Sequence, residues 1–115
     1  MIFHFPEKSA EALTISLIMA HFVGDFVLQN DRLAIEKCPG KDATLSWQWW
    51  MLGHASCHGL IVMLLTSSAF LGLMEMTSHF YIDYLKCKAK FNLIVDQIIH
   101  ILCKVLWVYL YFQFI

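Results

Sequence analysis

The 115-residue sequence contains little charge: only 15% of its residues are Asp, Glu, Lys or Arg, against about 25% in soluble globular domains. Neither sign predominates, since the formal net charge is −1, and this near-neutrality gives no electrostatic case for a nucleic-acid partner. Hydrophobic residues, in contrast, make up 59% of the chain. A soluble domain of this length could not bury so much apolar surface. The composition therefore predicts an integral membrane protein.

The cysteines show no CxxC pair, which argues against a zinc ribbon or a thioredoxin-like redox motif. They are widely spaced along the chain, at Cys38, Cys57, Cys87 and Cys103. Two of them, Cys57 and Cys103, lie in apolar runs, where cysteine commonly serves as a small hydrophobic residue. We therefore expect no disulfide.

The N-terminal segment lacks the features of a cleaved signal peptide. Glu7, Lys8 and Glu11 make a poor basic region, and no small-x-small cleavage motif follows them. The apolar run that comes next contains His21 and Asp25. We expect this run to be retained as a transmembrane helix.

Four apolar runs are each close to the length of about 20 residues that a helix needs to cross a bilayer. They span roughly 10–30, 47–66, 69–86 and 91–114. The connections between them contain a Pro39–Gly40 turn signal, a tight uncharged link at Ser67–Ser68, and the short basic segment KCKAK. We predict one all-α domain over residues 1–115, an integral membrane four-helix bundle.

Basic residues are distributed unequally between the two sides of such a bundle. The first and third connections contain Arg32, Lys37, Lys41, Lys86, Lys88 and Lys90, whereas the opposite side contains only Lys8. The positive-inside rule therefore predicts that both connections are cytoplasmic and that both termini lie on the non-cytoplasmic side. Aromatic residues are expected at the two membrane surfaces: Trp47, Trp49 and Trp50 at the cytoplasmic one, and Trp107, Tyr109 and Tyr111 at the opposite one.

Every predicted helix carries acids or histidines spaced four residues apart, which places them on one helix face. Counted inward from the predicted cytoplasmic ends at ~1.5 Å per residue, these side chains form two approximate layers. Polar faces in lipid are expected to turn towards one another. The residues are His21, Asp25, His54, His58, His79, Asp83, Asp96 and His100.

Imidazoles and carboxylates that converge in a helical bundle are typical ligands of divalent metals such as Zn, Mn or Fe. Eight such side chains suffice for two ions, and metal charge would offset the cost of burying several acids close together. Glu75 lies deeper on the third helix and is a candidate general base, with Asp83 a second candidate catalytic residue. Candidates for outer contacts to ligands or substrate are Gln29, Lys37, Lys86 and Gln97.

The same polar layer is compatible with other functions. It could relay protons or divalent ions in a transporter or channel, or only hold the helices together in a non-catalytic interaction protein, such as a phage factor. The apolar outer halves of the second and fourth helices disfavour a relay. Lys104 stands alone in the fourth helix, and we expect it to extend to the membrane surface or to pair with Glu7 or Glu11.

The motifs resemble a known family when they are taken in order. HFVGDFVLQ at 21–29, Lys37, His54, His58, SHFYID at 78–83 and DQIIH at 96–100 are similar to small bacterial and phage membrane proteins catalogued as domain of unknown function 3307. This resemblance covers nearly the whole chain and implies a multi-pass protein of the bacterial inner membrane.

A more distant resemblance concerns three of the motifs alone. The HxxxD, HxxxH and SHxxxD elements resemble those of YdjM-type membrane-bound predicted metal-dependent hydrolases. That resemblance implies hydrolysis of a phosphoester. Because the predicted site opens beside the headgroups of the cytoplasmic leaflet, we expect the substrate to be a phosphoester or pyrophosphate of a membrane lipid, or a lipid-linked phosphate.

Overall fold

A computed structural model describes residues 9–88 and 90–115, and every regular element within these ranges is helical. The all-α prediction is thereby confirmed for the described residues. Glu7 and Lys8, for which we predicted roles in pairing and topology, lie outside these ranges. The elements are α1 (Ala10–Phe22), a π-helical segment (Val23–Val27), α2 (Asp31–Glu36), α3 (Trp47–Thr66), α4 (Ala69–Cys87) and α5 (Leu93–Phe114).

Short polar residues begin four of the helices. The side-chain oxygens of Ser9, Asn30, Ser68 and Asn92 each accept a hydrogen bond from the backbone N–H three residues later. Such caps satisfy donors that the first helical turn leaves without a partner. The caps therefore fix where each helix starts, and with it the depth of every side chain along the helix.

The first helix differs from its predicted range of 10–30. It changes to π-helix at Val23, where the Leu28 N–H donates to the Val23 carbonyl at 2.9 Å, and it has ended before Asn30. Asn30 then caps α2, a short helix within the segment predicted to be a polar connection. Hydrophobic character continues across this region, so the sequence pattern alone does not show the break.

The long helices α3 and α4 approach each other closely. Ser67, with a left-handed φ of 60°, closes the tight turn between them. Farther along, a Cβ placed on Gly59 would lie 2.8 Å from the Gly72 carbonyl oxygen, so neither position has room for a side chain. In addition, α1 packs against α3 and α5, and α4 packs against α5.

Burial in this molecule is the reverse of that in a soluble protein. Among the described residues, buried positions are more often polar or charged than hydrophobic, while many large apolar side chains are exposed. Two segments, Ala10–Val27 and Leu93–Phe114, are long and apolar enough to cross a membrane. The exposed apolar side chains are not confined to these two, since α3 and α4 also present Leu60, Phe70 and Leu73.

One end of the helices contains a hydrophobic core. This apolar cluster consists of Leu13, Leu17, Val62, Leu71, Trp107 and Val108. It comes from the same four long helices that carry the predicted polar faces, one to several turns away along each helix. The structure therefore places the polar side chains beside a conventional core and not within it.

Candidate metal centre

The eight predicted ligands lie together in the interior. We call them the polar cluster: His21, Asp25, His54, His58, His79, Asp83, Asp96 and His100. All eight are buried, the most accessible being Asp25 with 7% exposure. The four-residue spacing in each helix thus brings all of the predicted side chains to one site.

Asp25 is the centre of one half of this cluster. Its Oδ1 lies 3.1 Å from His54 Nε2 and 3.0 Å from His58 Nε2. The same oxygen is 3.4 Å from His79 Nε2. Asp25 belongs to the π-helical segment, where the widened turn changes the direction of its side chain relative to α1.

The backbone at Gly24 allows one of these contacts to form. A Cβ at this position would lie only 2.6 Å from His58 Cε1, so the imidazole rests directly against the backbone of the first helix. Because glycine has no side chain, His58 on α3 can approach Asp25 on the neighbouring segment. The sequence HFVGD therefore supplies both a carboxylate and the space for its partner.

Asp83 is the centre of the other half. Its Oδ1 lies 3.0 Å from His100 Nε2, while its Oδ2 lies 3.3 Å from the Nε2 atoms of both His54 and His79. The imidazoles of His54 and His79 therefore bridge the two halves, with their Nε2 atoms 3.2 Å apart. The carboxylates of Asp25 and Asp83 approach these two rings from different helices.

Three overlapping groups of side chains have ligand atoms within 4.8 Å of one another, the distance that a shared ion requires. Most of the histidines contribute Nε2, and Asp96 adds a carboxylate 3.3 Å from His100 Nε2. Because the groups share members, they could not all hold an ion at the same time. The three groups are Asp25–His54–His58–His79, His21–His79–His100 and Asp25–Asp96–His100.

Four buried polar atoms of this cluster make no hydrogen bond: His21 Nδ1, His58 Nε2, Asp96 Oδ1 and His100 Nδ1. Two of them lie among the other ligand atoms, because His58 Nε2 is 3.0 Å from Asp25 Oδ1 and Asp96 Oδ1 is 3.3 Å from His100 Nε2, without hydrogen-bond geometry. Buried polar groups in proteins are almost always paired, and an unpaired one marks a place where an ion or water is expected. The donor set therefore fits a divalent metal, since imidazole nitrogen and carboxylate oxygen are the ligands that Zn, Mn and Fe accept.

Gln97 connects three members of the polar cluster. Its Oε1 lies 2.9 Å from His21 Nε2, and its Nε2 donates to Asp25 Oδ2 and to Asp96 Oδ2, both at 3.0 Å. An amide in this position fixes the orientation of its neighbours. Gln97 thus has the contacts that its predicted supporting role requires.

Glu75 lies one helical turn behind His79 and has no exposure to solvent. Its Oε2 is 2.9 Å from His79 Nδ1, on the side of the ring opposite the ligand atom. Trp107 Nε1 donates to Oε1 at 2.8 Å, and Lys104 Nζ donates to Oε2 at 2.9 Å. Both carboxylate oxygens are therefore occupied by partners.

Two predictions about α5 are wrong. Lys104 does not extend to the membrane surface or reach towards Glu11, because it is buried and paired with Glu75. Trp107 does not lie at the membrane surface either, since only 2% of it is exposed. The two residues follow one another at i and i+3 on α5, a spacing that could have indicated that they share a buried partner.

The remaining predicted residues lie at the rim of the polar cluster. Lys37 Nζ donates to Gln29 Oε1 at 2.6 Å and to Asp83 Oδ2 at 3.0 Å. Lys86 is 40% exposed, and its Nζ is 3.9 Å from Asp96 Oδ2. The three rim residues thus connect the surface of the molecule to the buried carboxylates.

The prediction that the chain has no disulfide is also wrong. Cys38 and Cys87 form one, with their Cα atoms 5.3 Å apart. The residues lie 49 positions apart in sequence, and only the packing of the α2 end against the α4 end brings them together. Spacing motifs such as CxxC detect local pairs and therefore could not show this one.

Comparison with known proteins gives one match. The family described as "Protein of unknown function (DUF3307)" matches residues 13–115, which include α3 to α5 in full and every member of the polar cluster. No curated protein and no solved structure matches the chain. The chain therefore belongs to the DUF3307 family.

Proposed function

We propose that this protein is an integral membrane metalloenzyme that hydrolyses a phosphoester or pyrophosphate of a lipid or lipid headgroup. The observation that carries the proposal is the polar cluster itself. Five imidazoles and three carboxylates from the four long helices and the π-helical segment converge in one buried site, and four of their polar atoms make no hydrogen bond. Burying so many polar groups is costly, and metal coordination offsets that cost.

The distribution of buried and exposed side chains supports a membrane location, since polar residues are buried and apolar residues are exposed. Apolar side chains are exposed on α3 and α4 as well as on the two segments that qualify as spans, which favours four membrane-spanning helices around the polar cluster. The excess of basic residues in the connections before α3 and before α5 favours a cytoplasmic position for both connections, in a protein of the bacterial inner membrane. Both termini would then be on the opposite side.

Charge balance limits the number of divalent ions. Lys104 neutralises Glu75, so the charge to be compensated comes from Asp25, Asp83 and Asp96. With the Lys37 ammonium 3.0 Å from Asp83, one divalent ion would give a neutral centre; with Lys37 moved away, two divalent ions and one further negative charge would do so. A neutral centre is the arrangement that a medium of low dielectric constant favours.

Metal ions in such a centre acidify a bound water and polarise a phosphoryl oxygen. The rim supplies complementary chemistry, because the ammonium groups of Lys37 and Lys86 lie where a phosphate would enter from the membrane surface. Of the predicted catalytic residues, Asp83 lies between the cluster and the rim. Glu75 instead supports His79 from behind, in the manner of the carboxylates that orient metal-binding histidines.

The proposed chemistry explains the molecule better than an ion relay does. A relay needs polar groups on both sides of the membrane. Beyond Glu75 and Lys104 the buried side chains that the structure describes are those of the apolar cluster and, at the turn between α3 and α4, Thr66 and Ser68, none of which carries a charge. The distant resemblance of the histidine motifs to membrane-bound hydrolases also favours hydrolysis.

Elemental analysis of the detergent-purified full-length protein tests the metal. We expect one to two equivalents of a transition metal per chain, and a near-complete loss in His58→Ala and Asp83→Asn. The matched control is Asp31→Asn, which removes an exposed carboxylate outside the cluster and should leave the metal content unchanged. A metal content below about a tenth of an equivalent, in wild-type protein that is folded and supplied with metal, contradicts the proposal.

Phosphate release from defined lipid phosphoesters and pyrophosphates then tests the reaction. The metal-loaded protein should release phosphate, and the Asp83→Asn variant should not. If the protein binds metal but releases phosphate from no member of the panel, the hydrolase proposal is wrong and the metal serves a scaffold.

A further inference from the structure

The Cys38–Cys87 bond lies at the rim of the polar cluster, beside the ion pair of Lys37 and Asp83. We propose that these two cysteines are a reversible thiol–disulfide modification site that controls loading of the metal centre through Lys37. The inference rests on the proposed metal-dependent function and adds its regulation.

Sequence neighbours couple the bond to the ion pair. Cys38 directly follows Lys37, and Cys87 is four residues after Asp83, one turn farther along α4. The covalent bond and the ion pair therefore join the same two parts of the chain, the α2 end and the α4 end. Breaking the disulfide therefore changes how firmly Lys37 is held beside Asp83.

Lys37 competes directly with a metal. Its Nζ is 3.0 Å from Asp83 Oδ2, an oxygen that also lies 3.3 Å from the Nε2 atoms of two cluster histidines. An ammonium at this distance repels a divalent cation and uses a lone pair that the cation needs. Metal coordination by Asp83 therefore requires Lys37 to move away.

The disulfide opposes that movement. It closes a loop of 49 residues and holds the backbone of residue 38 against α4, which keeps the neighbouring ammonium at a high effective concentration beside Asp83. In the dithiol form, hydrogen bonds such as that from Lys37 to Gln29 remain, but no covalent bond does. Lys37 can then leave when a metal arrives.

The chemistry is a two-electron exchange. The Cys38 and Cys87 thiols together lose two electrons and two protons, which pass to a disulfide oxidant such as oxidised glutathione and convert it to two thiols. With both connections in the cytoplasm, as proposed above, the thiols are kept reduced under ordinary conditions. Oxidative conditions would then form the bond and slow metal loading.

The test measures Co²⁺ binding by the full-length protein in detergent. One sample is reduced with a phosphine and the other is oxidised with oxidised glutathione, and both are desalted before metal is added. We expect loading of the oxidised sample to be about tenfold slower or weaker, as the higher effective concentration of the ammonium implies. Mass spectrometry after thiol alkylation confirms which cysteines are paired.

Three variants make the result specific. C38S/C87S should load like the reduced protein under both conditions, and K37M should load rapidly whether or not the bond is present. C57S/C103S, which replaces the two cysteines that are free in the structure, should keep the full redox dependence.

Two results overturn the inference alone: equal loading, within twofold, of the oxidised and reduced protein, or failure of Cys38 and Cys87 to pair under the oxidant. Absence of Co²⁺ binding in every sample, reduced protein and C38S/C87S included, instead overturns the metal centre and this inference with it.

Discussion

The two ends of the same four long helices differ in how they are held together. In the apolar cluster, residues such as Leu17, Val62 and Leu71 are buried against one another without polar partners. In the polar cluster, every buried side chain is an imidazole or a carboxylate that contacts others of its kind. One helix can thus carry both kinds of interior within a few turns.

The contrast separates stability from function. Apolar packing holds helices together without regard to chemical identity, so similar side chains can replace one another at modest cost. The polar cluster is expensive to bury and offers no packing advantage over hydrophobic residues of the same size. Substitutions in the polar cluster should therefore affect metal binding first, and substitutions in the apolar cluster should affect stability first.

The largest effect is expected at Glu75, which lies between the two ends. Glu75→Gln removes the charge that orients His79 and leaves the buried Lys104 without its counter-ion. We therefore expect a lower folded yield and, in the folded fraction, a metal affinity reduced by about 10–100-fold. Isothermal titration with Zn²⁺ measures this loss. Glu11→Gln, at an exposed position of α1, is the matched control.

Lys104→Met sharpens the same prediction. It leaves Glu75 charged and buried without its cation, so folded yield should drop sharply. The double variant E75Q/K104M should recover the yield but not the affinity. Recovery of both would show that the pair serves packing alone.

Substitutions in the apolar cluster should lower stability and leave metal binding unchanged. Leu71→Ala is expected to cost about 2–3 kcal/mol of stability, while the metal bound per folded molecule stays constant. Thermal unfolding in detergent gives the first quantity and elemental analysis the second. The control is Leu73→Ala on the same helix, where the side chain is 60% exposed and little change is expected.

Gly24 lies next to the polar cluster and contributes by leaving room for the His58 ring, since it carries no side chain of its own. In Gly24→Ala the new methyl group would be 2.6 Å from His58, so the ring must move, at a cost of about 1–2 kcal/mol and with weaker metal binding. Gly53→Ala is a close control, because no atom lies within 4 Å of its Cβ position. The prediction fails if the two variants behave alike.

The smallest effect is expected at Glu36, outside both clusters. Its carboxylate accepts hydrogen bonds from the backbone N–H groups of Thr44 and Ala43, and these bonds hold the pKa of Glu36 below its ordinary value of 4.5. A carboxyl whose pKa is lowered by folding stabilises the folded loop above its unfolded pKa. This contribution is lost as the pH falls through the lower, folded value.

Amide proton shifts of Ala43 and Thr44, followed by NMR during acidification, report this titration. Their midpoint should lie below 4.5, and Glu36→Gln should abolish it. A midpoint at or above that value would contradict the argument, because the hydrogen bonds would then favour the protonated acid.

Spacing along the helices was enough to predict much of the candidate site. Residues four apart, such as His21 and Asp25 or Asp96 and His100, share a face in any helix, and lipid leaves such faces only one another as partners. For that reason the structure brings seven of the eight predicted ligands into groups that could hold an ion, and Asp83 lies against the histidines of those groups. The depth of each residue was obtained by counting inward from the predicted cytoplasmic ends of the helices.

The features that were missed depend on contacts between distant parts of the chain. The disulfide joins two connections, and the partners of Glu75 lie about 30 residues away on α5. The disulfide has no local pattern, and the i, i+3 spacing of Lys104 and Trp107 indicates a shared partner without identifying it, because the relative rotation of two packed helices is not encoded in the spacing within one. The same holds for Gly24, whose importance depends on a ring from α3.

The π-helical segment has a consequence for how this site tolerates insertions and deletions. A π turn contains one residue more than the α turn it replaces, so Val23–Val27 behaves as an α-helix with a single inserted residue. Deleting Val23 would restore regular α winding: residues after the segment would keep their direction, but those within it, Asp25 included, would turn relative to α1. Asp25 would then point away from His54 and His58, although no residue of the polar cluster had been changed. A one-residue gap at this position in an alignment therefore separates proteins in which Asp25 contacts the histidines of α3 from proteins in which it does not.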